Sequence, residues 1–338
     1  MHVVIAGGTG FIGSALAEAL RARDDRVTVV SRRAGTGCIT WDELRARGLP
    51  ACDAAIHLSG EHILQPGRRW TEAYRAEVLG SRLRTTRWLV DAINGATRPP
   101  GVFISTVGKC LYGAASSAET LDEHDMRDTG DFPNRLSRAW AGEAARVRGD
   151  VRHVQLRLGI VFARSLPGQG PGPFRRGVFP MFRTLFERGL AFGSGDGTQG
   201  LPWVHIGDVV TLYRAALDRA EMHGPYNAVA PVPTTNGMFA RALAERLGVP
   251  FRGFLPRQLI HAVIGAERVG ILTHGQFVHP ARTLASGFSF RFATLETALD
   301  ELVGAPEGSL PYGAWLSRLR AYAGNADGAP SSQARPWA

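Results

Sequence analysis

The chain has 338 residues and a mass of 36.4 kDa, with 44% hydrophobic and 20% charged side chains. It is an ordinary globular composition with room for one large domain or two intimately joined ones. A net charge of +9 invites a nucleic-acid reading, but the basic residues are spread along the chain and form no helix-turn-helix, zinc-finger or RNA-binding signature. The charge therefore implies only a general attraction to phosphate-bearing ligands. No apolar run approaches the roughly 18–20 residues that cross a bilayer.

The amino terminus, "MHVVIAGGTG", enters a strand-like pattern without a charged n-region or a cleavage site, so the expected location is the cytoplasm. "HVVIAG" (2–7) reads as a buried strand, followed by a helix near 11–23 with Ile12, Ala15, Leu16, Ala19 and Leu20 on one face. "RVTVVS" (26–31) is the second strand and "CDAAIHLSG" (52–60) another. A long amphipathic helix follows from about Thr71 to Asn94. "GVFIST" (101–106) and "VRHVQLRLGIVF" (151–162) continue the sheet, with a helix between them from Pro133 to Arg146. After Ala163 the chain becomes rich in Gly and Pro, then resumes with strand and helix at "LPWVHIGDVVTLYRAALD" and a last strand at "GPYNAVA" (224–230). A helix follows with Thr234 or Thr235 as its cap, and residues 254–304 read as helical with a short strand around "GFSFRF". Short strands alternating with helices specify a doubly wound parallel α/β sheet. The tail "GNADGAPSSQARPWA" is rich in small residues and expected to be mobile. Cys38, Cys52 and Cys110 form an odd set without metal-like spacing and read as reduced thiols; no set of side chains has convincing metal spacing.

"AGGTGFIG" sets Gly7, Gly10 and Gly13 between the first strand and the first helix, which opens at Phe11 and Ile12. The first glycine permits a tight turn, the second lets backbone approach a pyrophosphate, and the third allows close packing of helix on strand. The helix N-terminus adds amide donors and positive potential. A strand before and a helix after supply the context that a lone glycine triplet lacks. The second strand ends in Ser31, Arg32 and Arg33, where an NAD site would place a carboxylate. A hydroxyl and two guanidinium groups suit a 2′-phosphate, so the expected cofactor is NADP.

With "DAAIHLSG" and "WVHIGDV" (203–209), the glycine turn resembles the extended short-chain dehydrogenase/reductases, the nucleotide-sugar epimerase and dehydratase group. "ITWDEL", "RRWTEAYRAEVLGSRLRTT" (68–86) and "LTHGQFVHPARTLASGFSF" (272–290) are similar to an atypical branch of it, labelled epimerase family protein or cell-division-inhibitor-like. The similarity runs from residue 1 to about 304. It implies a Rossmann-like NADP domain over 1–163, completed by 203–230. A smaller α/β substrate side would span 164–202 and 231–304, leaving 305–338 as an extra helix and tail. It also implies cofactor contacts from the glycine turn, Ser31, Arg32, Leu58, Ser59, Glu77, Arg82 and the backbone near Leu158 and Gly159. On spacing alone, Glu77 and Arg82 are exposed helix charges.

The superfamily moves its proton with a tyrosine and a lysine four residues apart. Here Lys109 is the sole lysine, and no tyrosine precedes it by four positions. In "NRLSRAWAGEAAR" the tyrosine and lysine positions fall on Arg135 and Ala139, or on Leu136 and Trp140 in a register shifted by one. Ser105 and Thr106 end the "GVFIST" strand where a catalytic hydroxyl belongs and are the expected catalytic residues. Tyr112 resembles a packing or substrate-side residue. Lys109 stands outside the family pattern and reads as a solvated loop lysine. His205 beside Asp208 suggests a general base, although in the superfamily this segment mostly braces the substrate domain. The expected function is hydride transfer between a nicotinamide and a carbonyl or alcohol of an unknown small molecule, by a monomer or homodimer that binds neither nucleic acid nor membrane. The competing class is a non-catalytic NADP(H) sensor.

Overall fold

The computed structural model describes residues 1–61, 63, 68, 70–113, 118–164 and 177–304. β1 (His2–Ala6) is apolar from Val3 onward and fully buried, the pattern of a central parallel strand. α1 (Phe11–Arg21) lays Ala15, Leu16, Ala19 and Leu20 against the sheet. β2 (Arg26–Ser31) and a three-residue edge strand, β3 (Cys38–Thr40), follow. α2 (Trp41–Arg47) starts in a capping box: the Thr40 hydroxyl accepts from the Glu43 N–H, and the Glu43 carboxylate accepts from the Thr40 N–H. Next come β4 (Ala54–His57), α3 (Glu72–Asn94, capped by Thr71), β5 (Val102–Gly108) and a 3₁₀ turn (Lys109–Tyr112). β6 (Thr120–Leu121) precedes α4 (Phe132–Ala144), which the Asp131 carboxylate caps by accepting from the Asn134 N–H at 2.9 Å.

β7 (Arg152–Leu158) and β8 (Ile160–Phe162) are two strands where the sequence suggested one. They part at Gly159, where a β-carbon would lie 2.8 Å from the Pro202 carbonyl oxygen. The chain turns there to pair β8 with β10 (Trp203–His205), leaving β7 in the main sheet. Between them lie α5 (Phe179–Glu187) and β9 (Gly193–Ser194). α6 (Ile206–Asp218), β11 (Gly224–Ala228) and α7 (Asn236–Arg246) follow, and the cap of α7 is Thr235. The remainder is β12 (Phe254–Leu255), α8 (Arg257–Ile264), α9 (Ala266–Thr273), β13 (Phe277–Val278), α10 (Ala281–Ala285) and α11 (Leu295–Val303). The "GFSFRF" segment forms no strand; the short strands of this region are β12 and β13. Residues 305–338, expected to be an extra helix and tail, lie outside the described residues.

The seven-stranded sheet is parallel throughout, in the order β11-β7-β5-β4-β1-β2-β3. The chain winds outward from β1 to β3, then crosses back to β4 and winds the other way. The fold is thus a doubly wound Rossmann-like α/β sheet whose topological switch point lies between β1 and β4. Val3 and Ile5 face a core shared with α1 and α6, whereas Val4 and Ala6 face one shared with α2 and α3. A third core is built on Phe162, Trp203, Phe239 and Leu299, from β8, β10, α7 and α11. No helix among the described residues is long and apolar enough to cross a membrane.

Candidate dinucleotide site

At the switch point the three glycines do different work. Gly7 has φ +84°, and a β-carbon there would stand 2.9 Å from the Leu58 carbonyl carbon and the Ser59 nitrogen. A β-carbon on Gly13 would stand 2.2 Å from the Gly7 carbonyl oxygen. Both are demanded by packing. Gly10 is less constrained: its φ is −81°, and a β-carbon there would meet only the Gly7 oxygen, at a tight 3.2 Å. The bare α-carbon of Gly10 caps α1, beside Phe11 and Ile12, and leaves its approach open.

Beyond β2, the Ser31 hydroxyl donates to the Arg33 carbonyl at 2.5 Å and accepts from the Arg33 N–H at 3.2 Å. This turn presents Arg32 and Arg33 to solvent, and among the described residues neither has an ion-pair partner. Leu58 and Ser59 continue β4 beneath the glycine turn, with the Leu58 N–H donating to the Ala6 carbonyl. On α3, Glu77 is held by Arg68 at 2.6 Å in an exposed pair. Arg82 behaves otherwise: it donates to the Glu61 and Val78 carbonyls and lies 5.1 Å over the Trp140 ring. Its guanidinium also fills the space a side chain on Gly60 would take. Burial lowers its pKa to about 10, so it stays charged at neutral pH. The structure thus brings Gly7, Gly10, Gly13, Ser31, Leu58 and Ser59 together at one edge, with Arg82 on the far side of Gly60.

Ser105 and Thr106 do not end their strand, contrary to the sequence reading. β5 runs on to Gly108, which pairs with Leu158 of β7. The two hydroxyls are buried on opposite faces: Ser105 bonds to His153 Nε2 at 2.8 Å, and Thr106 to the Tyr213 hydroxyl at 2.5 Å. Both are committed inside the layers, because apolar flanks (Val102–Ile104 and Val107) let the strand continue past them.

The helix that carries tyrosine and lysine in the superfamily is α4. Arg135 and Ala139 are exposed on it, while Leu136 and Trp140 face inward, so the shifted register is the relevant one. Leu136 is packed against Trp70, Tyr74 and Val78, with Ile271 beside them. Trp140 donates to the Thr86 hydroxyl and packs on Val107 and Leu111. Ser137 donates to the Pro133 carbonyl. Tyr112 is buried, receives a bond from Arg157 and donates to Asn227; burial raises its pKa to about 12. Burial likewise holds the Cys110 thiol above its ordinary value despite Lys109 nearby, which removes it as a thiolate.

His205 and Asp208 do not bond to each other. His205 Nδ1 accepts from the Gly207 N–H at the start of α6, and its Nε2 lies 3.2 Å from Glu301. The Asp208 carboxylate accepts from the backbone N–H groups of Arg291 and Phe292, and its burial raises its pKa. Glu123, unremarked in the sequence, is a second buried brace. It accepts from the N–H groups of Asn227 and Arg282 at 2.9 and 3.1 Å and faces the Thr283 hydroxyl at 3.5 Å. His57, hidden in an apolar run, ends β4. The Thr85 hydroxyl donates to the Ser81 carbonyl, so His57 Nε2 carries the proton and donates to Thr85 at 3.1 Å. Its Nδ1 is buried and, among the described residues, without a partner. Among the described residues no group of His, Cys, Asp or Glu side chains could hold a metal ion.

The fold, the switch point and the glycine turn define a doubly wound dinucleotide-binding protein. The family model "NAD dependent epimerase/dehydratase family" matches residues 3–229, and a second, "Domain of unknown function (DUF1731)", matches residues 255–302. The chain belongs to the NAD-dependent epimerase/dehydratase family. It is 44% identical over 306 residues to the human epimerase family protein SDR39U1, covering 90% of this chain and all of the relative. To the epimerase family protein YfhF of Bacillus subtilis it is 28% identical over 314 residues, covering 90% and 98%. The crystal structure of human SDR39U1 (isoform 2) with NADPH superposes with a TM-score of 0.83 at 41% identity, covering 90% of this chain and 100% of that one. A nucleoside-diphosphate sugar epimerase from Corynebacterium glutamicum gives 0.69 at 25% identity, covering 95% and 61%.

Proposed function

We propose that this chain is a cytoplasmic NADP(H)-dependent oxidoreductase that acts on a carbonyl or alcohol of a small molecule, as a monomer or homodimer. The observation that carries the reading is Gly10, an exposed glycine of ordinary backbone conformation with a single tight neighbour, at the mouth of the turn on the switch point. The relative crystallised with NADPH supports the same cofactor. Gly10 and the first amides of α1 would receive the pyrophosphate, and Ser31, Arg32 and Arg33 the 2′-phosphate. Leu58 and Ser59 would line the adenosine side, Arg82 and Glu77 the far wall, and the backbone at Leu158 and Gly159 the nicotinamide end. When bound, the nicotinamide supplies or accepts a hydride. The residues of this chain bind and orient it, and Leu136 with Trp70 and Tyr74 excludes water from the α4 side.

The second reading is a non-catalytic NADP(H) sensor, favoured by the apolar side chains that occupy the inward face of α4. Calorimetry with NADPH and NADH tests the binding that both readings require. Loss of NADPH absorbance across a panel of aldehydes and ketones then separates them: turnover supports the oxidoreductase, and tight binding with none supports the sensor.

A further inference from the structure

We propose that Lys109 is the substrate-recognition cation of this site, selecting small molecules that carry a carboxylate or phosphate group near the reacting carbon. The inference rests on the NADP(H) reading above and names the substrate class for it.

The first support is position. β4 ends at His57, which pairs with Ser105, whereas β5 continues three residues further, to the rung that joins Gly108 to Leu158. Lys109 stands one residue past that rung, on the carboxyl edge of the sheet where open α/β folds bind ligands. It is beside the Leu158–Gly159 backbone assigned above to the nicotinamide end.

The second support is space. Gly108 has φ −84° and ψ 161°, an extended conformation open to any residue. A β-carbon there would meet nothing within 4 Å. Among the described residues there is therefore open space beside the backbone that leads into Lys109.

The third support is charge. Lys109 is half-buried, and among the described residues it has no hydrogen bond or ion pair. Asp131 and Arg82 also act on the adjoining Cys110. Asp131 is already committed, accepting from the Asn134 N–H at 2.9 Å and the Thr129 hydroxyl at 2.5 Å. Among the described residues Arg82 bonds to carbonyl oxygens, and the Glu61 carboxylate also acts on it. Among the described residues no carboxylate bonds to Lys109 at the open end of the strand, an arrangement an anionic ligand completes.

Because the chain has one lysine, the test can be run on the unmodified sequence. In NADPH-saturated protein, acylation of Lys109 by a neutral N-hydroxysuccinimide ester is followed by peptide mapping in sodium phosphate, sodium acetate or sodium chloride at equal ionic strength. The amino-terminal amine, paired with Asp25 at 2.8 Å, is the internal reference. Phosphate or acetate is expected to slow acylation of Lys109 at least threefold, saturably, with the reference unchanged; the more protective anion identifies the substrate group. Equal rates in all three salts would make Lys109 a solvated lysine and overturn the proposal. So would protection by NADPH alone with no effect of either anion, which would assign the ammonium to the cofactor. In Lys109→Gln, NADPH affinity is expected to stay within about threefold, under 0.7 kcal/mol. The thermal stabilisation of the NADPH complex by the protecting anion is expected to disappear, and its persistence would also overturn the assignment. Failure of the NADP(H) reading itself would appear separately, as absence of NADPH binding in both proteins.

Discussion

A β-carbon on Gly13 would stand 2.2 Å from the carbonyl oxygen of Gly7, so the turn closes only because Gly13 lacks one. A β-carbon on Gly10, three residues earlier, would meet the same oxygen at 3.2 Å, a tight contact rather than an overlap. Gly13→Ala is therefore expected to destabilise the fold by roughly 1–3 kcal/mol or more, the scale of overpacking. Gly10→Leu is expected to cost less stability than Gly13→Ala while abolishing NADPH binding. Circular dichroism and calorimetry on the two variants check the contrast; normal NADPH binding by Gly10→Leu would place the site elsewhere.

The Arg32→Ala/Arg33→Ala double variant tests the choice of cofactor. Charge-assisted contacts contribute roughly 1.5–3 kcal/mol each before desolvation losses. NADPH affinity is expected to fall at least tenfold and NADH affinity to change little, because the 2′-phosphate is all that distinguishes the two ligands. Equal losses for both would sink the assignment.

Ser105→Ala removes the partner of His153 Nε2 in a buried layer. The expected cost is about 1–3 kcal/mol of stability in chemical denaturation, the penalty for an unpaired buried polar group. NADPH affinity in the folded variant is expected to be unchanged. A loss of affinity at full stability would return Ser105 to the site.

Asp208→Ala would strip two backbone N–H groups, those of Arg291 and Phe292, of their shared acceptor. Each unpaired group costs roughly 1–3 kcal/mol before relaxation. Hydrogen exchange at residues 288–292 is expected to accelerate while the sheet strands stay protected. Unchanged exchange there would argue against the brace.

Two histidines, the buried His57 and the half-buried His153, set an acid limit. Burial lowers the pKa of His57 to about 3 and that of His153 to about 4, from an ordinary value of 6.5. Well above pH 6.5 both are neutral in the folded and unfolded chain alike. As the pH falls from 6.5 toward 4, the unfolded chain takes up protons that the folded chain refuses, and stability drops by roughly 1.4 kcal/mol per pH unit for each histidine. His153→Gln is expected to flatten the melting profile between pH 6.5 and 4. A parallel, undiminished slope would exclude His153 as a source of it.

The sheet was legible in the sequence because buried parallel strands are short apolar runs between helices, and β1, β2 and β4 are such runs. So was the turn, whose glycines sit between a clear strand and a clear helix. The end of β5 was not. Ser105 and Thr106 look like a polar terminus, yet their hydroxyls find His153 and Tyr213 across the two faces, partners far away in sequence. The split at Gly159 was hidden for a similar reason: it depends on Pro202, which no local pattern near residue 159 reveals. On α4, a helix period leaves the register ambiguous by one, and only the packing of Leu136 and Trp140 resolves it.

Glu123 draws its donors from Asn227 on β11 and from Arg282 and Thr283 on α10, which lie in the segment matched by the second family model. The boundary between the two matched segments is therefore not a seam along which the protein can be cut. A chain ended at residue 254 would keep every strand of the seven-stranded sheet, but would leave this buried carboxylate with only the Asn227 donor at the outer edge. The same cut would strip Asp208 of Arg291 and Phe292. What reads as an appended module is the outer wall of the dinucleotide domain, and the two segments are expected to be inherited, expressed and unfolded as one.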